Sequence, residues 1–168
     1  MQRLIILRGT PASGKSSIAK NYRNFEEKVV WLKVDNFKDF FTEDATIALE
    51  FVNGSAIATL GYLLSQGFSV VVDGVFQNTT AVDNALQFAK EKNIPARVFE
   101  LTASLEMLLK RDNQRKGVLE GLRKPLGREA ITKIFNILAE NLYPNAIKLN
   151  TEENSIERCK GIIDSYFK

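Results

Sequence analysis

A chain of 168 residues, 45% of them hydrophobic, is long enough to bury a sizeable core in one domain spanning residues 1–168, with no second domain expected. Its 23 Lys+Arg against 20 Asp+Glu give a net charge of +3, too mild to imply a nucleic-acid coat, although an anionic ligand is still favoured locally. One cysteine and no histidine exclude an intrachain disulfide, a zinc cluster and the commonest general base, so that any base must be a carboxylate and the expected setting is reducing and cytoplasmic.

The first element is a short apolar run, Leu4-Ile5-Ile6-Leu7, suited to a buried strand and too short to read as a signal peptide. No later run approaches the length of a membrane span, so no membrane partner is expected. The strand leads into Gly9-Thr10-Pro11-Ala12-Ser13-Gly14-Lys15-Ser16, a complete G-x-x-x-x-G-K-[ST] phosphate-binding loop, and Ser16-Ser17-Ile18-Ala19-Lys20 can open a helix behind it. Strand, loop and helix come in the order that a triphosphate site requires. Glycine at positions 9 and 14 lets the backbone approach the phosphates, so that successive N–H groups and the helix N-terminus point at the anion. Lys15 supplies a charge that can reach the β- and γ-phosphates, and the Ser16 hydroxyl is placed to ligate Mg²⁺.

The second strand is Val29-Val30-Trp31-Leu32-Lys33-Val34, ending at Asp35, and the aromatic stretch Phe37-Lys38-Asp39-Phe40-Phe41 follows it. Asp35 is either the base that activates an acceptor hydroxyl or the cap of the next helix. The phenylalanines either wall an acceptor pocket or belong to the core. From about Asp44 to Ser65 the pattern is helical, with Gly54 and Gly61 as points where the helix could break and Gly67 as its stop. Ser69-Val70-Val71-Val72-Asp73 is a β-branched run typical of a buried parallel strand. Its terminal Asp73 reads as a carboxylate that holds a water on Mg²⁺ or orients an arginine, or else as a solvated strand end.

A helix from Thr80 to Lys92 follows, with Thr80 and Asp83 as a capping box, and then a fourth strand from Ala96 to Leu101. Ser104 can cap a helix with Leu105, Leu108 and Leu109 on its apolar face and Arg111, Arg115 and Lys116 at its polar end. Arg111 and Arg115, four residues apart, share one face, either as lid arginines over a triphosphate or as a solvated basic surface. Residues 117–127 hold three glycines, a proline and adjacent cations, the composition of a flap, and a lid over about residues 112–128 is expected; Arg123 and Arg128 are further lid cations. A helix through Ile131 and Leu138, a short strand near Ala146 to Leu149 and a last helix carrying Ile156, Cys159 and Ile163 complete the chain, Cys159 being read as packing. Strands alternating with helices predict a three-layer α/β domain with a mostly parallel sheet, its ligand at the carboxyl ends of the strands. Asp35, Asp73 and the phosphate loop all fall at that edge.

With the phosphate loop, Asp35 after the second strand, Asp73-Gly74 after the third, and Leu109-Lys110-Arg111-Asp112-Asn113-Gln114-Arg115 before the glycine-rich segment, the chain resembles the small P-loop kinases. Within them it is similar to the branch holding phage polynucleotide 5′-kinase domains, zeta-toxin kinases and chloramphenicol phosphotransferase. The resemblance implies a three-layer α/β/α P-loop NTPase fold with a five-stranded parallel sheet in the order 2-3-1-4-5, and ATP with Mg²⁺ as donor. It assigns nucleotide binding to residues 9–16 with Ser17 and Arg111, the metal to Ser16 and Asp73, acceptor activation to Asp35, and the lid arginine to Arg115. Asn36-Phe37-Lys38-Asp39 lacks the arginine that polynucleotide kinases place after that aspartate, so a hydroxyl-bearing small molecule is the first acceptor and a polynucleotide 5′-hydroxyl the second. An ATP-binding regulatory module without a dedicated acceptor is the alternative of another class. No Asn-Lys-x-Asp and no Asp-x-x-Gly after the third strand is present, as a guanine-specific switch would need. Oligomeric state is left open.

Overall fold

The computed structural model describes residues 1–41, 49–115 and 124–168. The beginning of the second helix near Asp44, Lys116 and most of the Gly117–Gly127 segment, Arg123 included, fall outside the described residues. Five strands, β1 (Leu4–Gly9), β2 (Val29–Lys33), β3 (Ser69–Gly74), β4 (Ala96–Thr102) and β5 (Ile147–Asn150), form one parallel sheet in the order β2-β3-β1-β4-β5. Helices α1 (Lys15–Phe25), α2 (Leu49–Ser65), α3 (Thr80–Glu91), α4 (Leu105–Asn113), α5 (Arg128–Glu140) and α6 (Ile156–Ser165) alternate with them. This is the three-layer α/β/α arrangement and strand order expected of a P-loop fold. Among the described residues no helix is long and apolar enough to cross a membrane.

The strands alternate their side chains between the two faces of the sheet. On one face Leu4, Ile6, Val70, Val72 and Val98 pack with Val52, Ala56 and Leu60 of α2 and with Val82 and Ala85 of α3. On the other, Ile5, Leu7, Val71, Phe99 and Leu101 pack with Ile18 and Ala19 of α1 and with Cys159 and Ile163 of α6, so Cys159 is a packing residue as its position on an apolar helix face suggested. Leu108, Leu109 and Ile131 join α4 to α5 in a smaller cluster. Helix α2 runs unbroken through Gly54 and Gly61 because it is held by its packed face; at Gly61 the ring of Phe88 comes so near that a Cβ would lie 2.8 Å from it.

Two local expectations are corrected. The second strand ends at Lys33, and Asp35 stands in the first turn of a 3₁₀ helix over Val34–Phe40, whose N-cap is Lys33 and carries no side-chain cap hydrogen bond. The proposed capping box of α3 does not form: the N-cap is Thr79, without a side-chain cap, and Asp83 Oδ1 instead accepts the Tyr143 hydroxyl at 2.8 Å.

A buried ion pair crosses the middle of the sheet. Arg8, fully buried at the end of β1, lies opposite Glu100 of β4 and donates to its carboxylate. Its Nε donates to the Phe76 carbonyl at 3.1 Å and its second terminal nitrogen to the Asn141 carbonyl at 2.5 Å. Burial pushes the Arg8 guanidinium pKa down, and Glu100 opposes that shift.

Helix α4 carries Arg111 but ends at Asn113, with Gln114 as its C-cap, so Arg115 stands just past the helix and the two arginines do not share one helix face as their spacing suggested. The helix begins as its sequence predicts, with Ser104 Oγ accepting from Met107 N at 3.2 Å. Ser104→Ala is expected to cost about 0.5–2 kcal/mol of stability. Urea unfolding measures it, and an unchanged midpoint would mean that the cap contributes nothing.

Candidate active site

The carboxyl ends of β1, β2 and β3 and the start of α1 open on a cleft of about 580 Å³. Its floor is the phosphate loop. Gly9 has φ +154°, and a Cβ there would meet the Leu101 carbonyl at 2.6 Å, so the loop's first position requires glycine for both conformation and space. Gly14, also at positive φ, is the N-cap of α1, which aims that helix's N-terminus into the cleft. Pro11, Ala12, Gly14, Lys15, Ser16 and Ser17 line the cleft, whereas Thr10 and Ser13 are buried beneath it and shape the loop through a Ser13 N to Thr10 O bond of 3.1 Å.

Lys15 is 7% exposed and its ammonium donates to the carbonyls of Gly9 at 2.8 Å and Thr10 at 3.0 Å. An ammonium has three donors, so these two bonds leave one more for an anion. Desolvation pushes the Lys15 pKa down; Asp73 and then Asp35 oppose the shift, and Arg115 and Lys33 add to it. Five charged side chains from four segments of the chain therefore share one electrostatic neighbourhood.

Asp73 is 4% exposed, which excludes the solvated strand end, and its Oδ2 accepts the Ser16 hydroxyl at 2.6 Å. These two hard oxygens suit Mg²⁺, which typically takes one or two protein oxygens and completes its shell with water and phosphate. Among the described residues no group of three or more acidic, cysteine or histidine side chains is placed to hold a metal ion.

Asp35 lines the cleft and forms an ion pair with Lys38 at 2.9 Å, with 38% and 41% of the two side chains exposed. The N-cap of the 3₁₀ helix that holds it is Lys33, not Asp35. Around it the wall is completed by Lys33, Val52 and Asn53 and by Phe76 and Gln77 after β3. None of these wall residues was singled out by sequence, because β3 ends and the loop behind it has no motif. Among the described residues the aromatic side chain that lines the cleft is Phe76, 3% exposed. Phe37 packs on the core, Phe40 is 79% exposed, and neither they nor Phe41 lines the cleft.

At the other end Arg111 donates to the Thr151 hydroxyl at 3.0 Å and to its carbonyl at 2.6 Å, fastening α4 to the turn after β5. Arg111, Arg115, Thr151 and Asn154 all line the cleft, so the two arginines are not a solvated face. Arg128 is exposed at the start of α5 and does not line it. The part played by Thr151 and Asn154 had no signal in the sequence beyond their position after the last strand.

Residues 4–132, which include the phosphate loop, Asp35, Asp73 and both arginines, match a family described as an AAA domain. Three solved structures illustrate the likeness of fold. Kti12 of Chaetomium thermophilum, in complex with ADP-AlF3, is 16% identical with a TM-score of 0.70 over 98% of this chain and 97% of its own. A gluconokinase from Sinorhizobium meliloti 1021 is 14% identical, with a TM-score of 0.66 over 98% of this chain and 90% of its own. A chain of the Pnkp1/Rnl/Hen1 RNA repair complex is 23% identical with a TM-score of 0.66; the match covers 83% of this chain and 44%, less than half, of the other. No curated protein matches the sequence.

Proposed function

Since the chain belongs to the AAA domain family and has the fold of the small P-loop kinases, we propose that it transfers the γ-phosphoryl group of ATP to a hydroxyl of a small-molecule acceptor. The observation that carries this reading is the presence of Asp35 in the same cleft as the phosphate loop, on a wall of Asn53, Phe76 and Gln77 that lies outside the loop itself. A nucleotide switch has no need of a carboxylate there. An acceptor does, because its hydroxyl must lose a proton as its oxygen attacks phosphorus.

In this reading the loop amides and Lys15 hold the β- and γ-phosphates. Asp35 accepts the acceptor's proton, the acceptor oxygen bonds to the γ-phosphorus, and the bond to the β,γ-bridging oxygen breaks to leave ADP. Arg115 and Lys15 offset the charge on the migrating group, while Arg111 holds the turn at Thr151 against the nucleotide end of the cleft. Ser16 and Asp73 would hold Mg²⁺, which when bound neutralises charge shared by the β- and γ-phosphates.

A second acceptor class has its own support. Lys33 and Lys38 flank Asp35 on the cleft, as the phosphates of a polynucleotide with a free 5′-hydroxyl would require, and one structure of similar fold belongs to an RNA repair complex. ATP consumption measured against polyols, sugar acids, nucleosides and 5′-hydroxyl oligonucleotides separates the readings. The expected result is stimulation by a small hydroxyl compound. Stimulation by the oligonucleotides alone moves the acceptor to nucleic acid, and no stimulation by any class, with ATP still bound, favours the regulatory module.

A further inference from the structure

Asp112 belongs to none of the roles above, yet it is one of the most buried charged groups in the chain, at 1% exposure. Its Oδ2 accepts two backbone amides, Leu126 N and Gly127 N, each at 2.9 Å. Those amides belong to Gly127, the N-cap of α5, and to the residue before it, so Asp112 fastens the entry to that helix from the end of a neighbouring one. Its Oδ1 stands 3.3 Å from Arg115 Nε as an ion pair and has no hydrogen-bond partner among the described residues. The carboxylate therefore has one oxygen fixed by the backbone just before α5 and the other, among the described residues, paired with a cation of the cleft.

We propose that Asp112 is a positioning residue for Arg115: it holds the guanidinium at the phosphate end of the cleft and makes its placement depend on the docking of α5. The proposal rests on the reading of Arg115 as a phosphoryl-stabilising cation. A free arginine would have several rotatable bonds to order at the moment of reaction. One whose Nε faces a buried, immobile carboxylate begins from a restricted set of positions, and its terminal nitrogens remain available to an anion. The i,i+3 spacing across the C-terminal end of α4 gives this pairing, and the small cluster of Leu108, Leu109 and Ile131 holds α5 where the amides just before it can anchor the carboxylate.

The test is a double-mutant cycle with Asp112→Asn and Arg115→Gln, read as single-turnover consumption of Mg·ATP with water or an acceptor, together with ATP affinity and thermal melting. Asparagine keeps an oxygen for the Leu126 and Gly127 amides but turns an amide donor toward Arg115. The expected result for Asp112→Asn is a turnover about tenfold slower with nearly parental ATP affinity and melting temperature, and for Arg115→Gln a loss of about 10². The double variant should be no slower than Arg115→Gln alone, since the two residues act as one unit. Independent, multiplying losses, or a melting change without a turnover change, would overturn the positioning role and leave Arg115's own role standing. Parental turnover in Arg115→Gln would overturn both. Asp112→Ser, small and neutral, takes the place of the asparagine variant in the same cycle if the latter does not fold.

Discussion

Lys15→Met is expected to lower ATP turnover by about 10² to 10³-fold while leaving the protein folded, the range seen when a preorganised charge is removed from a developing transition state. The structure gives reasons for both halves of that result. The ammonium sits beneath the phosphate loop, bonded to the Gly9 and Thr10 carbonyls, and its pKa is pushed down because burial opposes the charge. Keeping a cation there costs stability, so its replacement by an apolar chain of similar length removes a desolvation penalty while forfeiting two bonds to carbonyls. The gain from the charge comes only when an anion joins it. Single-turnover kinetics with melting curves on both proteins measure the two effects separately, and parental turnover by the variant would remove the phosphate-loop assignment.

Asp35→Asn is expected to lower acceptor phosphorylation by about 10² to 10⁴-fold, the usual contribution of a general base, with Mg·ATP affinity nearly intact. The side chain is half-exposed and its partner Lys38 lies only one helical turn away, so the pair contributes little to stability and the change leaves the fold undisturbed. The Ser16 and Asp73 pair is held by its own hydrogen bond, which makes the outcome diagnostic. If ATP affinity falls together with phosphorylation, Asp35 acts on the metal and not on the acceptor. If phosphorylation is unchanged, the base is elsewhere, and Asp73, already engaged with the Ser16 hydroxyl, is the next candidate.

The parts of the cleft that the sequence announced are those whose chemistry is written in consecutive residues or at strand ends. The loop from Gly9 to Ser16 requires its spacing, and Asp73 terminates an unbroken β-branched run, so both could be placed at the ligand edge before any contact was known. Asp35 came with them by position, although the strand ends earlier and a 3₁₀ turn presents the carboxylate. What escaped is set by contacts between distant segments. Thr151 meets Arg111 across forty positions, and Asp112 meets the amides of residues 126 and 127 through a helix that merely looks polar at its end. Phe76 escaped for the opposite reason: one aromatic residue in a loop is silent, whereas the row of Phe37, Phe40 and Phe41 drew notice and proved to lie outside the cleft. Hydrophobic periodicity reports which face of an element is buried, but not which distant polar group completes a site.

The pairing of Arg8 with Glu100 bears on how the sheet is assembled. β1 lies between β3 and β4, and apolar residues on both of its faces would tolerate being moved along its neighbours. A shift by one residue would carry the Arg8 side chain to the opposite face, away from Glu100 and from the carbonyls of Phe76 and Asn141. Leaving one member of a buried ion pair without the other costs about 3–5 kcal/mol, a large share of the stability of a domain this size. Misaligned strands are thus penalised at the position next to Gly9. The alignment of β1 with β4 is held by a charge buried outside the cleft, and its bond to the Phe76 carbonyl ties the same residue to the segment after β3.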